Sequence, residues 1–302
     1  MRVRVLGSAA GGGFPQWNCG CRNCDGVRRG AIAATPRTQA SLAVSADGER
    51  WLVLGASPDV RVQLERAPEL WPPAGGRGTP IAAVALPNGD VDAWLGLLSL
   101  REWTPLHVLA TDVVRRDIVE RNAVLRTLDR FEGQCRWHAL LPGARVAIDG
   151  TALTLEAVPA PGKPPLHMLA RREPDPLDNA GFIVRDEARA VSVAWFPSVA
   201  APSPAVQRAL READALFFDG TFFSEDELAA AGLGSARARQ MGHWPVGGSD
   251  GSAAFLATLP AAAKWLVHVN NTNPLLDDDS RERRELRALG IDVATDGLTW
   301  ER

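Results

Sequence analysis

The chain has 302 residues, enough for one large domain or two small ones, and is 46% hydrophobic and 23% charged, as soluble globular proteins are. A formal net charge of −3 gives no reason to expect nucleic acid or an anionic membrane as partner. No apolar run approaches the ~20 residues of a membrane span. The N-terminus, MRVRVLGSAAGGGF, opens directly as a strand without the apolar stretch of a signal peptide, so a cytoplasmic location is expected. The chain contains no Tyr, which excludes phenol chemistry by the protein itself.

In chain order, strands are expected at 3–7, 41–45, 50–55 and 81–86, the middle two joined by an Ala-Asp-Gly turn. The last of these runs breaks at Pro87-Asn88-Gly89 and delivers two carboxylates, Asp90 and Asp92. A helix follows over about 91–102, with Leu95, Leu98 and Trp94 facing inward. A strand at 106–110 and a helix at 111–125, opened by a Thr/Asp cap, close the first half. The second half reads as strands at 152–158, 180–186, 190–196, 215–219 and 264–269. Helices are expected at 205–212, 225–231, 251–259 and 280–289, and a strand, turn and strand over 291–301. The Pro-rich, charged stretch 160–178 reads as a long surface loop and a candidate lid. Many strands with helices between them point to packed sheets covered by helices. Both halves start strand-rich and end helical, which hints at a pseudo-duplicated architecture over a single domain, 1–302.

The stretch NCGCRNC places Cys19, Cys21 and Cys24 on one Gly-rich loop. Three thiolates this close can converge on one tetrahedral ion, and Zn²⁺ suits sulfur ligands and brings no redox chemistry. Such a site would be structural, pinning a loop that has no core of its own. Its fourth ligand is open. Cys135 stands alone and reads as a buried or half-buried thiol. His107 in a strand and His138 in a loop read as structural, and His167 in the Pro-rich loop as solvated. His243 lies in a Gly-rich loop before a helix. His268 ends an apolar strand and is followed by Asn270, Asn271 and Asn273, and Asp219 ends another. Singly, each is as readily a capped strand end. Together with Asp92 they can meet along one sheet edge, where carboxylates and imidazoles suit Zn²⁺, Mn²⁺ or Fe²⁺.

LGSAAGGGFPQWNCGCRNC, RTQASLAVS, ASPD, NGDVD followed by GLLSLRE, LFFDGT, MGH and HVNNTNP run in this order along nearly the whole chain. In these motifs the sequence resembles the pyrroloquinoline quinone biosynthesis protein B family, of the metallo-β-lactamase fold. The resemblance implies an α/β fold, a four-layer αββα sandwich with the cysteine loop near its start. It implies Fe²⁺- and O₂-dependent hydroxylation of a small amino-acid- or peptide-derived substrate, on the way to the quinone cofactor. Aligned on the superfamily's His-x-His-x-Asp-His motif, Asn88 and Asp90 fall on the first two histidines, Asp92 on the aspartate and Ala93 on the last histidine. The resemblance makes Asp92, Asp219 and His268 the active-site metal ligands, Asp90 a further candidate, and Asp92, His243 and Asp219 the catalytic groups. Asn271 falls where related phosphodiesterases complete the cysteine trio. Ala93, Trp94, Pro87 and Gly55 depart from the family's usual residues around one expected pocket. A non-catalytic metabolite-binding or carrier protein with a degenerate metal site is therefore the second reading. Hydrolysis is a weaker third, since a two-metal site needs more histidines. A homodimer is compatible with either of the first two.

Overall fold

The computed structural model describes residues 1–102, 104–120 and 122–302. In chain order the strands are β1 (Arg2–Gly7), β2 (Ser41–Ser45), β3 (Trp51–Leu54), β4 (Ile81–Ala85), β5 (Leu106–Ala110), β6 (Cys135–Ala139), β7 (Arg145–Ala147), β8 (Leu153–Pro159), β9 (Ala180–Asp186), β10 (Val191–Phe196), β11 (Ala215–Asp219), β12 (Ala263–Val267), β13 (Asp292–Val293) and β14 (Thr299–Glu301). They build two seven-stranded sheets, β14-β1-β2-β3-β4-β5-β6 and β13-β12-β11-β10-β9-β8-β7. Each half of the chain thus makes one sheet, and β14 alone crosses back. The expected strand-turn-strand at the C-terminus is for that reason not a hairpin: β13 pairs with β12, and β14 pairs with β1 in the other sheet.

The helices are α1 (Arg22–Arg29), α2 (Val60–Glu65), α3 (Val91–Trp94), α4 (Asp112–Val119), α5 (Pro204–Glu212), α6 (Glu227–Ala230), α7 (Ser252–Ala257) and α8 (Arg281–Ala288). None is long and apolar enough to cross a membrane. Three apolar cores separate four layers. Leu52 and Val5 of the first sheet meet Phe182 and Phe217 of the second between the sheets. Val53 and Val84 pack outward on Val114 and Ile118 of α4. Leu216 and Phe218 pack outward on Leu210, Leu256 and Leu286 of α5, α7 and α8. β11 is buried on both faces, which is why it reads as an unbroken apolar run, not an alternating one. β3 to β6 and β10 to β13 are parallel, and the carboxyl ends of β4, β11 and β12 open on one edge, the usual place for a site in such sheets.

Several local expectations differ from the structure. The helix over 91–102 is α-helical only through α3 and continues as a 3₁₀ turn over Leu95–Leu100. The cause is a close approach. The Gly96 amide donates to the Ala56 carbonyl at 2.9 Å, and a Cβ on Gly96 would lie 2.1 Å from the Ser57 carbonyl. The altered winding buries Trp94 and Leu97 and leaves Leu95 and Leu98 half-buried. The helix over 111–125 ends with α4, where Asn122 donates to the Asp117 and Ile118 carbonyls, and Arg121 lies outside the described residues. Thr111 caps its start, accepting from the Val114 amide. His138 lies on β6, not in a loop, with its ring stacked on His107 of β5 and their Nε2 and Nδ1 atoms 3.0 Å apart. The short, mixed-polarity strands β6 and β7 and the polar helix α1 carry no apolar periodicity and went unforeseen.

Gly96 holds the β3–α2 connection against the turn that carries Asp92. Gly96→Ala should lower stability by about 2 kcal/mol, the cost of forcing an overpacked contact, and urea denaturation measures it.

Candidate metal centre and its pocket

Asp92 is carried by the first turn of α3 and His268 by the residue after β12, so the two come from opposite sheets. His268 Nε2 lies 3.1 Å from Asp92 Oδ2. His268 adopts a left-handed backbone, φ 57°, which a non-glycine residue occupies at a cost of about 1–2 kcal/mol. Thr221 offsets this from one side: its Oγ1 accepts from Nδ1 at 2.7 Å and lies against the His268 carbonyl at 2.9 Å. The Thr221 hydroxyl also lies 2.6 Å from Asp219 Oδ1, a contact that takes its proton toward the carboxylate. With Nδ1–H committed to Thr221, Nε2 is the atom His268 presents to Asp92 and to an ion.

Asp219 ends β11 fully buried. Its Oδ1 accepts from the Thr221 amide and hydroxyl, and its Oδ2 accepts from the Val199 amide and faces His243 Nδ1 at 2.8 Å. The His243 ring stacks on His268 with centroids 5.3 Å apart. Ligand atoms of Asp219, His243 and His268 all lie within 4.8 Å of one another. A chain of contacts therefore runs Asp92, His268, Thr221, Asp219, His243. The donors are oxygen and nitrogen, which fits Zn²⁺, Mn²⁺ or Fe²⁺. Asp219 would enter the ligand set only by giving up one of its four contacts.

Asp90 lies apart from this chain. Its Oδ2 pairs with Lys163 Nζ at 3.0 Å and its Oδ1 accepts from the Leu166 amide at 3.0 Å. It ties down the Pro-rich loop, which forms one wall of a 680 Å³ cavity whose floor is Asp92, His243, His268 and Thr221. Leu166, Leu169, Phe222 and Met241 line the cavity around that floor. His167 belongs to the lining too, half-buried with Nε2 3.3 Å from the Asp117 carbonyl, because Arg172 clamps the loop between Asp117 and Asp178. The solvated position expected for it does not hold.

Beneath Asp92 and His268 is a separate void of 10 Å³, room for at most one water, bordered by Ala93, Pro87 and Trp195. A Cβ on Gly55 would touch Trp195. Three of the four unusual residues thus gather near the pair. Trp94 does not: it turns into the outer core and donates from Nε1 to the Gly89 carbonyl.

Electrostatics bind the pair. Burial pushes the Asp92 carboxyl up, but the hydrogen bond and charge of His268 outweigh it, so Asp92 sits below its ordinary range. Burial pushes the His268 imidazole down, but Asp92, Asp219 and Asp90 outweigh it and raise it. Nearby, burial lifts Glu227 to about 7, against hydrogen bonds from Thr272 and the Phe223 amide.

The cysteine trio forms a second centre. Cys19, Cys21 and Cys24 bring their sulfurs within 4.8 Å of one another. Burial pushes the Cys24 thiol up to about 11, while hydrogen bonds from the Cys24 amide and the neighbouring thiols overcome burial and lower Cys21. Crowded, buried sulfurs of this kind call for a cation. The Asn271 carboxamide faces all three, with Nδ2 at 3.1, 3.7 and 3.5 Å from Cys19, Cys21 and Cys24. Cys135 is half-buried and distinct from this group, its thiol pushed up to about 12 by burial.

Thr221 and Glu227 escaped sequence reading. The only signal for Thr221 was its place two residues after Asp219 in Asp-Gly-Thr. Glu227 gave none.

A two-sheet αββα sandwich with polar groups at the carboxyl ends of β4, β11 and β12 defines a metallo-β-lactamase superfamily protein. The chain matches the Beta-lactamase superfamily domain over residues 50–269. It is 45% identical to the coenzyme PQQ synthesis protein B of Pseudomonas paraeruginosa and 43% identical to that of Methylococcus capsulatus, in each case over 300 residues and 99% of both chains. It superposes on the crystal structure of Zn²⁺-bound PqqB from Methylobacterium extorquens with a TM-score of 0.94, at 39% identity and with 100% of both chains covered. A diphosphatase of the PhnP family, 21% identical with a TM-score of 0.66 over 99% of this chain and 97% of its own, shares the fold. The chain belongs to the coenzyme PQQ synthesis protein B family.

The linked titrations give a pH dependence for the metal-free protein. Asp92, depressed, contributes stability above its unfolded value of 3.8 that is lost as pH falls through the lower folded value. His268, raised, contributes stability below 6.5 that is lost as pH rises through its folded value. The stability difference between wild type and Asp92→Asn should therefore be largest between about pH 4 and 6.5 and shrink as pH rises through the folded value of His268. Urea midpoints across this range check it; a constant difference would mean that the two residues do not form an ion pair.

Proposed function

We propose that the protein is a cytoplasmic, metal-dependent hydroxylase of pyrroloquinoline quinone biosynthesis, acting on a small amino-acid- or peptide-derived intermediate. In this reading Asp92 and His268 hold Fe²⁺, and Cys19, Cys21 and Cys24 hold a structural Zn²⁺, with Asn271 as fourth ligand once its amide turns Oδ1 inward. The observation that carries it is the convergence of Asp92 and His268 on the floor of a 680 Å³ cavity, in a chain alignable end to end with the family. Bound there, Fe²⁺ supplies the one-electron chemistry with dioxygen that hydroxylation requires. The chain's own residues do the rest. His243, locked by Asp219 through Nδ1, presents Nε2 as a proton acceptor for the substrate. Leu166, Phe222 and Met241 offer apolar contacts for the substrate's hydrocarbon part and displace water from the floor. Lys163 stands at the cavity wall, balanced by Asp90, and can turn toward a substrate carboxylate.

A second reading has one specific observation in its favour. Asp219 is saturated with hydrogen bonds and Ala93 offers no donor, so the ligand set is reduced to Asp92, His268 and the Nε2 of His243. A protein with such a site would bind the intermediate and pass it on without turnover.

Anaerobic titration with Fe²⁺ separates the two. The hydroxylase reading expects a second equivalent of iron in protein whose cysteine trio is already loaded, bound about tenfold more tightly after Ala93→His. If no second ion binds even at high Fe²⁺ and the added histidine changes nothing, the carrier reading stands.

A further inference from the structure

The two candidate centres share one short piece of chain. His268 stands at its start and Asn271, three residues on, faces the thiols of the trio. Between them, Val269 is bonded on both sides to the N-terminal loop, donating to the Ser8 carbonyl and accepting from the Ala10 amide, each at 3.0 Å. Asn270 borders the cavity and donates its amide to the Thr221 carbonyl at 3.0 Å.

The cysteine loop holds this segment from the other side. Asn23, buried between Cys21 and Cys24 in sequence, donates Nδ2 to the carbonyls of both Asn271, at 3.1 Å, and Asn273, at 2.9 Å. Asn273 in turn donates Nδ2 to the Gly220 carbonyl at 2.9 Å, immediately before Thr221. Thr221 is the residue that grips His268. The same N-terminal loop reaches the pocket directly, where a Cβ on Gly11 would lie 3.5 Å from the Asp92 carboxylate carbon. A left-handed backbone at His268 persists only where its surroundings over-determine it. Thr221, Asp92 and His243 hold the residue itself, and the loop that carries the three cysteines holds the residues that follow it.

We infer that the cysteine centre positions the active-site histidine: Asn23 and Asn271 are positioning residues that transmit the order of the thiol cluster to His268 through the 268–273 segment. This rests on the reading that the trio holds Zn²⁺. Loss of that ion would free Asn271, loosen the segment and weaken the Asp92–His268 pair without removing either of its ligands. The cysteine centre would then set the affinity of the second site, beyond stabilising a loop.

The test uses full-length protein and Mn²⁺ as probe, a hard ion that disfavours thiolates and reports the oxygen–nitrogen site alone. Free Mn²⁺ is followed by electron paramagnetic resonance, amide hydrogen exchange is read on the peptide spanning 266–273, and Zn²⁺ at the trio is counted colorimetrically. Asn23→Ala should weaken Mn²⁺ binding about tenfold and speed exchange in that peptide, while Zn²⁺ stays at one equivalent and the melting temperature moves little. Arg29→Ala, on the exposed face of α1, should change neither. Cys21→Ser should reproduce and exceed the Asn23→Ala effect. If Cys21→Ser does not fold, chelator removal of Zn²⁺ from wild type serves the same purpose. Unchanged exchange and Mn²⁺ affinity in Asn23→Ala and in the zinc-depleted protein would overturn the inference. A wild-type trio that takes up no Zn²⁺ would overturn the reading beneath it.

Discussion

A carboxylate from one sheet meets an imidazole from the other, and the rest of the architecture makes that contact available. Asp92 and His268 are 176 residues apart in sequence and 3.1 Å apart at their nearest polar atoms. The contact exists because the inter-sheet core, where Leu52 faces Phe182 and Phe217, sets both sheets with the carboxyl ends of their parallel strands on one edge. Burial of two ionisable groups in such a place is costly unless each compensates the other. Asp92 is depressed and His268 raised, as mutual compensation requires. A divalent cation between them would take over the role of the imidazole proton, so the metal-free pair is already arranged for what it is read to bind.

Support for the pair is layered. Thr221 decides which nitrogen of His268 faces Asp92, and Asp219 decides where the Thr221 proton goes. Asp219 also holds His243, so one buried carboxylate orients two imidazoles without exposing a free oxygen. Asp90, by contrast, anchors the loop that walls the cavity. Five acidic and imidazole groups close in space thus divide their tasks by which hydrogen bonds are already filled. Composition and spacing have no access to that division.

How much was legible in the sequence follows from the same physics. β4 and β11 are buried on both faces or nearly so, and their unbroken apolar runs, like the apolar end of β12, marked them and the residues at their ends. The cysteine trio was legible because its spacing is local. The break in α3 was not, since it arises from the contact of Gly96 with a carbonyl 39 positions earlier, at Ser57. Trp94 was placed near the pocket by its neighbours in sequence, and the winding set by Gly96 carries it to the outer core. Thr221 and Glu227 acquire their roles only through partners 47 and 45 residues away, His268 and Thr272. Beyond the short elements β6, β7 and α1, which carry no apolar periodicity, what the sequence withheld was set by long-range contacts.

The most direct measurement is a crystal structure of protein loaded with Fe²⁺ under anaerobic conditions, with anomalous scattering recorded at the iron and zinc edges. An iron peak between Asp92 and His268, with a separate zinc peak enclosed by Cys19, Cys21, Cys24 and Asn271, is the predicted result. Zinc or iron at the cysteine trio alone, with the Asp92–His268 contact still closed, would contradict the account.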